Sequence, residues 1–152
     1  MARAPFNVLV YPYIRLGDNE VEYALLKRAD IGVWLGVSGG GEDNETPLEA
    51  ARRETCEEAG LPVESTFVQL DTVEPLPVTL FSDSYAWGNN IYVVPQYTFG
   101  VMVKNRQIVL SHEHTEYMWF KYQDAYGLLI YDDAKTALWE LDRKARGLGP
   151  RD

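Results

Sequence analysis

Three glutamates, Glu54, Glu57 and Glu58, stand at i, i+3 and i+4 inside the stretch GGGEDNETPLEAARRETCEEAGL, residues 39–61. On a helix this spacing makes them surface neighbours, and each exposed like-charge pair costs roughly 0.2–0.5 kcal/mol. They also lie toward the negative end of the helix dipole. A hard divalent cation would relieve both penalties. An all-oxygen set suits Mg²⁺, with Mn²⁺ as the alternative, and Mg²⁺ commonly bridges carboxylates and substrate phosphates. The chemistry this predicts is metal-assisted cleavage of a phosphate anhydride. The plainer reading is a solvated acidic face. The glycines that lead into the helix weigh against it.

The element that must hold these carboxylates is legible. Thr46 is an N-cap, Pro47 takes the first helical position, and Glu49 completes a capping box. Gly60 is placed to end the helix in a left-handed conformation. The predicted helix runs over 47–59. Leu48, Ala51, Thr55 and Ala59 form the stripe expected to face a sheet. Cys56 is expected to pack, because nearby carboxylates disfavour its thiolate.

With the helix placed, residues 39–61 resemble the Nudix box, G-x5-E-x7-R-E-U-x-E-E-x-G-U, where U is a bulky aliphatic residue. Gly39, Glu45, Arg53, Glu54, Glu57, Glu58, Gly60 and Leu61 fill their positions, and Thr55 stands where an aliphatic residue is usual. The resemblance implies an α/β fold, a Nudix-type α/β/α sandwich with a mixed central sheet. It implies a Mg²⁺-dependent pyrophosphohydrolase acting on nucleoside diphosphates linked to another group. Glu57 and Glu58 would then bind metal, and Glu54 would bind metal or orient water. Glu45 and Arg53 would hold the loop and helix together through a salt bridge. A backbone carbonyl at Ser38 or Gly39 is the expected further ligand. Glu113 matches the family's late acidic residue, an extra metal ligand or general base, with Glu116 as the alternate. In the implied reaction a carboxylate accepts a proton from water, and Lys27 or Arg28 stabilises the leaving phosphate.

Beyond the box, VSGGGEDNET, SHEHTEYMWF and YQDAYGLLIYDDAKTALWEL give a looser resemblance to the dihydroneopterin triphosphate pyrophosphatase branch. The Glu113-His114-x-x-Tyr117-x-Trp119 element also resembles one in dinucleoside polyphosphate hydrolases. The substrate alternatives are therefore a pterin triphosphate, a dinucleoside polyphosphate, or a normal or oxidised nucleoside triphosphate. A non-catalytic nucleotide-binding module is disfavoured, because such modules usually lose box carboxylates. Trp34, Tyr85 and Trp87 are candidate stacking surfaces, as is Tyr92, and Asn89 could read a ring edge. For most of these aromatics, anchoring of core or loop is the favoured reading. His112 and His114 could share a strand face, but two histidines do not fill a tetrahedral zinc site.

The remaining elements frame this stretch. Strands are expected over 6–14 and 21–26 as a hairpin, then over 63–73, 91–103, 107–110 and 117–120. Residues 79–81 could extend a strand beyond the proline segment 74–78. Residues 82–90 read as a loop, and helices are expected over 122–129 and 131–146. Residues 1–5 read as a loose end. At 152 residues the chain is expected to form one domain. A formal charge of −9 excludes the basic footprint of nonspecific nucleic-acid binding, but not a small polyphosphate carried with its cation. One cysteine permits no intrachain disulfide. No apolar run spans a membrane, and no secretory pattern opens the chain. A cytoplasmic monomer or homodimer is the expectation.

Overall fold

The computed structural model describes residues 2–152. Seven strands form one mixed sheet: β1 (Arg3–Gly17), β2 (Glu20–Arg28), β3 (Trp34–Leu35), β4 (Val37–Glu42), β5 (Thr66–Pro77), β6 (Val93–Met102) and β7 (His114–Lys121). The order is β3-β2-β1-β6-β5, with β4 also paired to β1 and β7 to β2. Only β1 and β6 run parallel. Helix α1 (Pro47–Ala59) covers one face, while α2 (Tyr122–Leu128) and α3 (Asp132–Ala145) cover the other. This is the expected α/β/α sandwich. No helix among the described residues is long and apolar enough to cross a membrane.

β1 is the axis of the sheet. It pairs with three strands and is covered on both faces, so Val8, Leu9, Val10 and Tyr11 are all fully buried. Its pleat sends Val8 and Val10 toward α1, and Leu9, Tyr11 and Tyr13 toward α3. The β1–β2 hairpin forms as expected, with Asn19 at φ 62° in its turn.

Helix α1 begins and ends as its sequence dictates. Thr46 Oγ1 accepts from the Glu49 N–H at 3.2 Å, and Glu49 Oε1 accepts from the Thr46 N–H at 2.8 Å. Gly60 closes the helix at φ 69°. Its docking face differs from the predicted stripe. Leu48 is exposed, and Ala50 and Glu58 are buried beside Ala51, Thr55 and Ala59. The small alanines bring the helix close to the sheet, which rotates Leu48 outward and Glu58 inward. Cys56 is exposed rather than packed, on the side of the helix away from the sheet.

Other elements depart from the sequence reading for local reasons. Residues 3–5, expected to be loose, belong to β1, where Arg3 pairs with Glu42 of β4. β5 continues through Pro75 and Pro77, which an edge strand tolerates. Residues 78–80 form a 3-10 turn instead of more strand, and a second 3-10 turn spans Ser84–Trp87. No strand forms at 107–110. There Ile108 is buried against the α1 side of the sheet, and the Val109 N–H donates to Ala59 O at 3.0 Å, satisfying the helix end. β7 begins at His114, three residues before the expected 117.

Candidate metal and substrate site

The carboxylates of Glu54, Glu57 and Glu58 meet on the C-terminal half of α1. One oxygen from each lies within 4.8 Å of the others. Glu57 is exposed, Glu54 half-buried and Glu58 buried, so the cluster bridges core and solvent. Arg53 reaches across the group. It holds Glu45 with two hydrogen bonds of 2.8 and 3.0 Å, donates to Gly40 O at 2.8 Å, and contacts Glu54 at 2.9 Å and Glu57 at 3.3 Å. One guanidinium therefore ties the β4 end, the following loop and the helix into one unit. The Arg53 partnership holds the Glu45 carboxyl below its ordinary range.

Burial pushes the Glu54 carboxyl up to about 7, against the opposing pull of Arg53 and with added repulsion from Glu57 and Glu58. Charge is crowded here beyond what one arginine offsets. Gly39 explains how Glu54 fits. A side chain at residue 39 would collide with the Glu54 carboxylate, so only glycine lets strand and carboxylate meet.

Glu58 is held from the loop before β7. Ser111 Oγ donates to Glu58 Oε2 at 2.5 Å, and His114 Nδ1 stands 3.4 Å from the same oxygen. Burial lowers the His114 pKa below its ordinary value, so the ring is neutral at neutral pH. His114 thus faces inward at the start of β7, while His112 lies before the strand. The two do not share a strand face as the spacing suggested.

Beside Glu54 opens a cavity of about 980 Å³. Arg3, Arg28, Ser38, Gly39, Glu54 and Glu113 lie on its wall. Glu113 is therefore at the cavity but outside the three-glutamate group. Arg28 is forked onto Asp30 at 3.0 and 2.6 Å, and this ion pair occupies much of its charge. Lys27 points to Glu116 at 3.9 Å and is not on the cavity wall.

The expected stacking residues lie elsewhere. Trp34, Tyr85, Trp87 and Asn89 are not among the wall residues. Trp34 packs edge-on against Phe120, with centroids 5.8 Å apart, because β3 turns it toward the α2–α3 side. Tyr85 is almost fully exposed at 91%, and Tyr92 follows at 80%. Trp87 is an anchor: its Nε1 donates to Arg3 O at 2.7 Å and its ring packs edge-on against Phe81.

Several wall residues escaped the sequence reading. Arg3 stacks on Phe81 at 4.9 Å and donates to Asn7 Oδ1 at 3.1 Å, with no acidic partner among the described residues. Its guanidinium occupies the space that a side chain at Gly40 would fill. Asn7, Glu74 and Gln96 join it on the wall. The available signal was a polar side chain inside an otherwise apolar strand, as Asn7 is between Phe6 and Val8.

The comparisons with known proteins agree with this architecture. The NUDIX domain model matches residues 10–141. Nucleoside triphosphatase NudI of Escherichia coli O17:K52:H18 is 34% identical over 137 residues, covering 83% of this chain and 87% of that protein. A NUDIX hydrolase structure from Listeria monocytogenes superposes with a TM-score of 0.83 at 38% identity, covering 95% of this chain and 96% of that one. The E. coli dihydroneopterin triphosphate pyrophosphohydrolase superposes at 0.75 with 23% identity, covering 94% of this chain and 98% of that one, a likeness of fold. With Gly39 and Glu54 on the cavity wall, Glu57 and Glu58 clustered with Glu54, and the domain model spanning most of its length, the chain belongs to the Nudix hydrolase family.

Proposed function

We propose that the protein is a divalent-metal-dependent pyrophosphohydrolase that cleaves a phosphoanhydride bond in a nucleoside-triphosphate-like substrate. The observation that carries this reading is the three-carboxylate group converging beside a cavity of nucleotide size. The group fits a hard cation on chemical grounds. Its donors are all oxygen, they lie close enough to share one ion, and burial, with a smaller repulsion from Glu57 and Glu58, raises Glu54. Glu54, Glu57 and Glu58 would hold Mg²⁺ or Mn²⁺, and the Ser38 or Gly39 carbonyl is the further candidate. A bound cation supplies charge neutralisation of the phosphates and a more acidic water.

The chain's own residues supply the rest. Arg53 fixes the orientation of Glu54 and Glu57. Ser111 holds Glu58 from outside the group. Arg3 presents the cavity with a cation that has no carboxylate partner among the described residues, placed for a phosphate oxygen. Glu113, on the same wall, is the candidate to accept a proton from water.

The similarity to NudI supports a nucleoside triphosphate. Dihydroneopterin triphosphate is the finer candidate from the sequence resemblance. A panel of both, assayed with Mg²⁺ and with EDTA, tests the proposal. Mg²⁺-dependent release of pyrophosphate supports it. Release of orthophosphate alone, or turnover indifferent to EDTA, contradicts it.

A further inference from the structure

A polar rung crosses three strands of the cavity wall. Asn7 on β1 pairs in register with Gln96 on β6, and Gln96 with Glu74 on β5. The three side chains are 5%, 7% and 4% exposed. Their hydrogen bonds run in one direction. Arg3 donates to Asn7 Oδ1, Asn7 Nδ2 donates to Gln96 Oε1 at 2.5 Å, and Gln96 Nε2 donates to Glu74 Oε2 at 2.9 Å. Asn7 Nδ2 also reaches Ser38 Oγ at 3.1 Å, which fixes the amide further.

The relay ends on Glu74. No cation among the described residues pairs with it, and Gln96 occupies one of its oxygens. Its other oxygen has no partner among the hydrogen bonds of the described residues and is not enclosed, so it is open to a donor from a ligand in the cavity. The neighbouring wall is apolar, with Leu76 and Leu80 beside Phe81. Apolar side chains next to a buried carboxylate suit a heteroaromatic ring read along one edge.

We propose that Glu74 recognises a ring edge carrying two adjacent N–H donors, the 2-amino-4-oxopyrimidine edge shared by guanine and pterins. This rests on the function proposed above and names its substrate class. The selectivity follows from donor and acceptor order. Guanine and pterins place a ring N–H next to an exocyclic amino group, and a carboxylate accepts from both. Adenine and cytosine set a ring-nitrogen lone pair beside their amino group. Uracil and thymine flank their ring N–H with carbonyls. Each of those edges turns an acceptor toward Glu74. The Asn7–Gln96 pair cannot rotate to compensate, because its amides are committed at both ends.

The test compares ligands that differ by one amino group. Hypoxanthine nucleotides keep the ring N–H and lack the 2-amino group. The expected result is that GMP binds about tenfold or more tightly than IMP by calorimetry in EDTA, and that kcat/KM favours GTP over ITP by a similar factor. Glu74→Gln brings both ratios close to one. Should that variant fail to fold, Glu74→Asp and the wild-type ligand comparison give the same readout. The kcat/KM of dihydroneopterin triphosphate against GTP separates the pterin from the guanine source. Equal affinity for GMP and IMP, no binding of either, or a preference for a cytosine nucleotide overturns the inference. Tighter GMP binding without hydrolysis of any triphosphate leaves the inference standing and removes the proposed reaction. Hydrolysis with GTP and ITP equal does the reverse.

Discussion

Glu140 on α3 and Glu54 on α1 are both glutamates wedged between a helix and the central sheet, and their surroundings treat them oppositely. Burial raises the Glu140 pKa, but Lys144 at 2.8 Å, the Thr72 hydroxyl and the N–H groups of Asp71 and Thr72 outweigh it, so the net shift is downward. For Glu54 burial prevails over Arg53, its one cationic contact among the described residues, with a smaller push from Glu57 and Glu58, so its net shift is upward. Glu140 is a finished interaction that ties α3 to β5. Glu54 shares its surroundings with the Arg53 guanidinium and with the Glu57 and Glu58 carboxylates. A burial-raised carboxylate beside a cavity and a satisfied carboxylate in the opposite layer mark Glu54 as the candidate for chemistry and Glu140 as scaffold.

The contrast breaks first at the acidic cluster. Glu57→Gln and Glu58→Gln should each lower Mg²⁺-dependent kcat by on the order of 100-fold or more, with far-UV circular dichroism unchanged. Glu140→Gln should leave kcat within a few-fold of the parent. An equal loss in all three variants would erase the distinction.

The next effect is geometric. Gly39→Ala forces a methyl group into the Glu54 carboxylate, so it should cut activity by roughly 10- to 100-fold while the chain still folds. Titration of Mn²⁺ should show weakened metal affinity. Unchanged affinity would mean that Glu54 can leave its position at no cost to the site.

Stability should reverse the ranking. Glu140→Gln weakens the acceptor for two backbone N–H groups and leaves Lys144 without its 2.8 Å partner, so it should cost about 1–3 kcal/mol in chemical denaturation. Glu54→Gln should be neutral or stabilising in metal-free protein, because it removes repulsion.

The smallest effect is the pH dependence, and the two residues give it opposite signs. Glu54 moves from an ordinary 4.5 to about 7 in the folded state. Between these values the native state holds the extra proton, so the Glu54 contribution to metal-free stability falls as pH rises through this window. Glu140 is lowered, so its contribution is present above the ordinary value and is lost as pH falls through its folded pKa. Metal binding to an ionised Glu54 releases its proton, so Mn²⁺ affinity should climb through about pH 7, and Glu54→Gln should flatten that climb. A pH-independent affinity in the parent protein would remove Glu54 from the site.

The sequence alone determined what local rules govern. The capping box at Thr46 and Glu49, the left-handed Gly60 and the spacing of Glu54, Glu57 and Glu58 are decided within one helix, and the family motif is itself a local string. The mixed sheet was legible from alternating strands around an early helix. What the sequence could not order was cross-strand and cross-layer contact. It named Trp34, Tyr85 and Trp87 because aromatics suggest stacking, but register turns the first into core, exposes the second and makes the third an anchor for Arg3. Arg3 itself lay in a segment with too few residues to show a period. Asn7, Gln96 and Glu74 are up to 89 positions apart in the chain and become one relay only when β1, β6 and β5 align. Helix geometry fixes neighbours three and four residues away, so the acidic cluster could be read directly. Sheet pairing joins residues at any separation, so only the tertiary structure could decide the cavity wall and the side chains it brings together.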